Sequence, residues 1–184
     1  MQKPFQPENQ SLALANKFRL TFNRLPEVTF FCQSINVPGI SMNPTQFTTP
    51  FVDLPIPGDK AQFDELRVQF LVDEDYKTWQ SLFDWIVGMT FPENFEQYVN
   101  LSKLRRDTIS SGLSHNAHLD YSPQYSDASL FINTNKNNKN LKFKFIDMFP
   151  ISVGTIDLSE EFTPENTITC EAVFKYSYFT LERL

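Results

Sequence analysis

A mainly β fold, a β-sandwich or partial barrel with one packed α-helix, is the class this chain predicts. Apolar and polar residues alternate with period two in several separated runs, the spacing that turns one face of a strand inward. The 19 phenylalanines and an aromatic share of 15% favour strands, where large flat side chains pack on a pleated surface. One long stretch departs from this pattern, with apolar residues three and four apart, as in an amphipathic helix. At 184 residues the chain fits a single domain spanning 1–184.

The elements follow in order. "NKFRLTFNRLPEVTFFCQSINVPG" predicts a hairpin: Phe18, Leu20 and Phe22 share one strand face and Val28, Phe30 and Cys32 another, with residues 24–26 as the connection. A proline-rich arm covers about residues 38–59, where Pro38, Pro44, Pro50, Pro55 and Pro57 are interleaved with Phe47, Phe51, Val52 and Leu54. Proline removes ladder donors, so this segment is expected at an edge or as an extended arm reaching a neighbour. Gly58 permits a positive-φ turn and Asp59 can hydrogen-bond the local backbone.

Alternation returns with Leu66, Val68, Phe70 and Val72 inward and Glu65, Arg67 and Gln69 outward. Tyr76, Trp79, Leu82, Phe83 and Ile86 then form the stripe of a helix over 74–87 that is expected to pack on the sheet. Asp73 is its expected N-cap, Glu74 and Asp75 fill its first turn, and Gly88 ends it. Trp85 falls off the stripe, where it could meet another chain. A weaker helical pattern runs from Phe91 to about Arg106, and a polar loop or insertion occupies about residues 100–128. "ASLFINTNKNNKNLKFKFIDMFP" predicts strand, turn and strand, with Leu141, Phe143 and Phe145 opposite Lys142 and Lys144. A last strand places Ile168, Cys170, Ala172, Phe174, Tyr176 and Tyr178 on one face.

The candidates for chemistry each have a plainer role. His115 and His118, with Asp120, have metal-ligand side chains at His-x-x-His spacing, but they sit in a Ser/Asn-rich segment without helical pattern. Asp59, Asp64, Glu65, Asp73, Glu74 and Asp75 could supply a carboxylate pair, yet Asp64 and Glu65 should point to opposite strand sides and the last three suit a helix start. Trp79, Phe83 and Trp85 could stack a sugar or base, although the first two fit helix packing. Lys136, Lys139, Lys142 and Lys144 could touch phosphates, although their alternation with Phe143 and Phe145 is that of a wet strand face. No nucleophile elbow, phosphate loop or dinucleotide fingerprint occurs, so no enzyme, cofactor or metal is expected.

A net charge of −6 argues against an independent nucleic-acid binder. Cys32 and Cys170 lie in apolar runs without a Cys-x-x-Cys pair, which favours buried thiols and leaves a bridge between them open. The N-terminal residues are polar and proline-broken, without a signal pattern, and no apolar run nears the roughly 20 residues of a membrane helix. Assembly in a host cytoplasm, with no membrane partner, is the expectation.

The order of motifs resembles the tail-tube family of contractile-tailed, T-even-type bacteriophages, including the inner-tube initiator proteins of the baseplate. It is carried by "NKFRLTF", "VTFFCQSINVPG", the proline-rich arm, Pro57-Gly58-Asp59-Lys60 followed by Phe63-Asp64, Asp73-Glu74, Asp84-Trp85, Phe149-Pro150 with Val153-Gly154, and "ITCEAVFKYSYF". The segment from about Val99 to Tyr125 is longer than that pattern, so main tube subunit, baseplate component and tail-end ring all stay open.

The resemblance implies a ring-forming fold, a virion protein whose hexameric rings stack into the inner tail tube through which DNA is ejected. Implied partners are other copies, neighbouring tube or baseplate rings, the tail sheath and, transiently, the tape-measure protein and DNA. On this reading Phe47, Phe51, Val52, Leu54, Gly58 and Asp59 form an inter-subunit arm. Asp64, Glu65 and Glu171 are lumen-facing candidates, because a passage for DNA should not hold phosphates by cationic contacts. The rival is a carbohydrate- or receptor-binding β-sandwich module of a phage tail, binding through exposed aromatics and the loop at 106–125; weaker still is a carboxylate-dependent hydrolase.

Overall fold

The alternating runs become strands of one folded sheet with a helix against it. The computed structural model describes residues 12–102, 124–158 and 167–184. The elements are β1 (Phe18–Phe22), α1 (Pro26–Phe31), β2 (Cys32–Ile35), β3 (Ile40–Met42), β4 (Thr45–Thr48), β5 (Asp53–Ile56), β6 (Ala61–Phe63), β7 (Leu66–Leu71), α2 (Lys77–Thr90), β8 (Ser126–Asn133), β9 (Lys139–Val153), β10 (Thr169–Lys175) and β11 (Tyr178–Arg183).

The main sheet runs in the order β1-β8-β9-β10-β7-β2, with β11 also on β9. The 15-residue β9 joins its two halves: Leu141 to Ile146 lie between β8 and β11, and Phe149 to Val153 pair with β10. At the change of partner, Asp147 takes a positive φ of 55°, a bend that lets one strand turn the corner between two sheets. The halves face each other across the core, where the Phe22 and Phe174 rings meet at 5.2 Å. The barrel stays partial: between β1 and β2 lies a cleft of about 690 Å³ lined by Phe18, Leu20, Cys32 and Ile35 among others.

Period-two alternation in the sequence matches burial closely here. Leu66, Val68 and Phe70 of β7 and Ala172 and Phe174 of β10 have no exposed surface, while Arg67, Gln69, Glu171 and Lys175 between them are exposed. β8, a turn with Asn137 at φ 63°, and β9 match the expected strand, turn and strand.

Four expectations need correction. Val28 to Phe31 lie in α1, not in the second strand of a hairpin, and β1 pairs with β8. Pro26 opens that helix, where a missing N–H costs nothing, and the Thr29 hydroxyl accepts the Phe22 N–H at 3.0 Å, tying the helix to the end of β1. The long final strand is two strands broken at residues 176–177, where the Ser177 N–H reaches the Ile146 carbonyl.

The third correction concerns the helix. It starts at Lys77, so Glu74 and Asp75 precede it, and it continues past Gly88 to Thr90. Asp73 caps it from outside the expected position: its carboxylate accepts the N–H groups of Thr78 and Lys77 at 3.0 and 3.1 Å. These bonds, chiefly that from Thr78, hold its pKa below the ordinary value. Gly88 is buried against Leu101, within the helical residues 96–102, where a Cβ would meet Leu101.

The packing stripe is the fourth. α2 buries Thr78, Leu82, Trp85 and Gly88, whereas Phe83 is 46% and Tyr76 36% exposed, and Trp79 and Ile86 are half-buried. Leu82 alone of the expected stripe is fully inside. Trp85 does not await another chain: its indole N–H donates to the Gln124 carbonyl at 3.0 Å, and the Arg24 guanidinium lies 4.5 Å from the ring centre. Those two partners belong to segments remote in sequence, so helical spacing could not reveal which face would be covered.

The cysteines are free. Cys32 and Cys170 pair with Phe70 from opposite sides, two strand spacings apart, roughly 9–10 Å against the ~7 Å limit of a disulfide. Burial pushes the Cys32 thiol up to about 11 and raises Cys170 as well.

Candidate assembly surfaces

Two surfaces outside the core bear on function. The first is the proline-rich segment, which is a two-stranded ribbon. Ile40 to Met42 pair with Phe63 to Ala61, and Thr45 to Thr48 pair with Ile56 to Asp53. Its turn is closed by the Thr49 hydroxyl, which donates to the Val52 carbonyl at 2.6 Å and accepts the Val52 N–H at 3.1 Å. Gly58 is needed for close approach: a Cβ there would overlap the Asn43 carbonyl oxygen, and its φ is not left-handed, contrary to the turn expected from sequence. Asp59 is exposed and makes no hydrogen bond among the described residues.

Directly paired residues on antiparallel strands share a face, so register divides the ribbon into two sides. Phe47, Leu54 and Ile56 lie on one, while Gln46, Thr48, Asp53 and Pro55 lie on the other. Nearer the body Ile40, Met42 and Phe63 share a face against Ser41 and Gln62. Phe47, Val52, Leu54 and Ile56 are about half exposed and Phe51, at the tip, is 98% exposed. An amphipathic ribbon with both sides in solvent has an apolar face left exposed among the described residues. Ile40, Met42 and Ile56 belong to this surface and were missed by the sequence reading, because single apolar residues between prolines show no period.

The second surface is the outer face of β2, β7 and β10. Register puts Arg67 and Gln69 beside Val173 and Glu171, and Glu65, just before β7, lies next to Lys175. Glu65 lies 3.7 Å from Lys175 and 3.9 Å from Arg67, and the Ser34 hydroxyl donates to Gln69 Oε1 at 3.1 Å. A shallow cleft of about 350 Å³ opens among Ser34, Ile35, Asn36, Arg67, Gln69 and Glu171. Glu65 and Glu171 are thus brought to one face with Arg67 and Lys175, leaving little net charge. Asp64, which is exposed, and Glu65 both lie in the link between β6 and β7, not within a strand as expected.

Lys142 of β9 pairs with Glu182 of β11 at 3.0 Å, and Lys139 lies 4.7 Å from the centre of the Phe131 ring. His115, His118 and Asp120 lie outside the described residues, as does most of the polar loop; its ends are helical at 100–102 and strand from Ser126. Among the described residues no three His, Cys, Asp or Glu side chains gather as metal ligands, and no helix is long and apolar enough to cross a membrane.

A family model described as phage tail tube protein matches residues 5–182. The tail tube terminator protein of Enterobacteria phage T4 is 23% identical over 164 residues, covering 88% of this chain and 82% of that protein. A chain of the anti-feeding prophage cap, a tube-terminating cap, superposes with a TM-score of 0.62 at 10% identity, over 97% of this chain and 96% of that one. A chain of the PVC sheath–tube complex, an extracellular contractile injection system, gives 0.60 at 12% identity over 95% and 94%. At such identity the last two likenesses are in fold.

Proposed function

This chain belongs to the phage tail tube protein family and is a component of the phage tail; from that premise we propose that it forms a hexameric ring closing one end of the inner tail tube. The observation that carries the ring is the ribbon at 40–63, whose apolar side is left exposed among the described residues. A neighbouring copy supplies that cover. The end position, in preference to the shaft, is supported by likeness to the T4 terminator over most of both chains.

In such a ring the face bearing Glu65, Arg67, Gln69, Glu171 and Lys175 lines the channel. Its two acids and two bases are near balance, and Glu65 sits beside both bases, so passing phosphates meet no row of free cations. The tail sheath, adjoining rings, the tape-measure protein and DNA are the partners this role requires. No catalytic step is assigned.

Electron microscopy of the purified protein tests the proposal. Discrete six-fold rings that do not elongate are expected, and deletion of residues 45–56 should leave folded monomers. Long tubes would make the chain a shaft subunit; a wild-type monomer at high concentration, or normal rings from the deletion variant, would overturn the assembly reading. Assembled rings should not retain DNA at moderate salt, whereas Glu65→Lys with Glu171→Lys should.

A further inference from the structure

A two-stranded ribbon has no core of its own, so its direction depends on what holds its base. Here the base is held from both sides. On one, Asn36 acts as a staple: its side-chain N–H donates to the Glu65 carbonyl at 2.9 Å while its Oδ1 accepts the Arg67 N–H at 2.6 Å. The Asp64 N–H reaches the Gly39 carbonyl at 3.1 Å, closing the ribbon. On the other side the Tyr176 hydroxyl donates to the Asp64 carbonyl at 2.8 Å, a bond between residues 112 apart in the chain. The Phe63 ring lies edge-on to Phe179 at 5.2 Å and 6.1 Å from Tyr176. Tyr176 in turn packs edge-on at 5.0 Å against Phe145, which has no exposed surface.

We propose that Phe63 and Tyr176 form a clasp that sets the direction of the ribbon, so that its apolar face is presented ready to dock on a second copy. The clasp rests on the reading of the ribbon as the docking element. Contacts run unbroken from the core through Phe145 and Tyr176 to Phe63, the last residue of β6, and Asp64, which follows it. Tyr176 lies in the two-residue break between β10 and β11. Burial, with the Asp64 charge behind it, raises the phenol to about 12, so it remains a donor throughout the neutral range. A ribbon held in its docking direction loses less conformational freedom on association, which lowers the concentration needed to assemble.

The test uses the full chain with Tyr176→Phe, which removes one oxygen, and Phe63→Leu, which removes the ring contacts. Two quantities are read: hydrogen exchange of the backbone amides, and the protein concentration at which half sediments as rings. In both variants exchange at Asp64 should rise about three- to tenfold, as expected for loss of one hydrogen bond in the first and of an aromatic pair in the second, with α2 unchanged and the assembly concentration raised by a similar factor. Unchanged assembly in both variants would overturn the clasp, as would equal acceleration in α2, which would make Tyr176 a general core residue. Deletion of 45–56 separates the two readings. If that deletion blocks rings while both point variants assemble as wild type, the clasp fails alone; if it assembles normally, the docking role of the ribbon fails and takes the clasp with it.

Discussion

The body and the ribbon are written in the same alternating pattern, but they use it differently. In β7 the alternation separates a face with no exposure from one in solvent, because β10 and β2 flank it and the opposite half of the sheet covers it. In β4 and β5 a similar alternation separates an apolar side from a polar one, and both are exposed. The body completes itself. In the proposed ring, the ribbon's pattern acquires its physical purpose when a second copy covers Phe47, Leu54 and Ile56. Alternation thus reports that a face will be buried without saying by whose chain.

The sharpest way to break this contrast is to remove a large side chain from each region. Trp85→Ala should lower unfolding free energy by about 3–5 kcal/mol, the range for a buried aromatic, because it leaves a cavity and strands the partner at Gln124. Urea unfolding of the isolated subunit measures it, and a loss under ~1 kcal/mol would mean that the core is not where the structure puts it.

A smaller effect is expected at the edge of the body. Asp73→Ala should cost about 0.5–2 kcal/mol at neutral pH through loss of two N–H acceptors at the start of α2. Folding lowers the pKa of this group, so its contribution is present above the ordinary value of 3.8 and is lost as the pH falls through the lowered folded value. The gap between wild type and variant should therefore close in acid; a gap that persists or widens there would rule out the charged cap.

The smallest change in subunit stability belongs to the exposed aromatics. Phe51→Ser at the ribbon tip and Phe83→Ala on the outer side of α2 should each shift stability by less than about 1 kcal/mol. Phe51→Ser should nevertheless impair ring formation. A large loss of monomer stability at Phe51 would show that the ribbon folds back on its own subunit and would erase the contrast between the two regions.

The sequence by itself determined the fold class and the inward faces of β7, β9 and β10, because side chains alternate strictly across a strand and a one-residue slip would expose the whole set. It also determined that the proline-rich segment could not be a central strand, and that Asp73 would serve the start of a helix. Only the tertiary structure decided the rest. Val28 to Phe31 became a helix because β1 pairs with β8 across more than 100 residues, and the chain must turn before β2. Trp85 went inside, and Phe83 out, because Arg24 and Gln124 arrive from distant segments to cover the indole. Tyr176 left the ladder to meet Asp64, 112 residues away. Local periodicity records which side of an element is apolar, whereas which apolar side is covered, and at what angle, depends on contacts between residues that the linear sequence does not bring together.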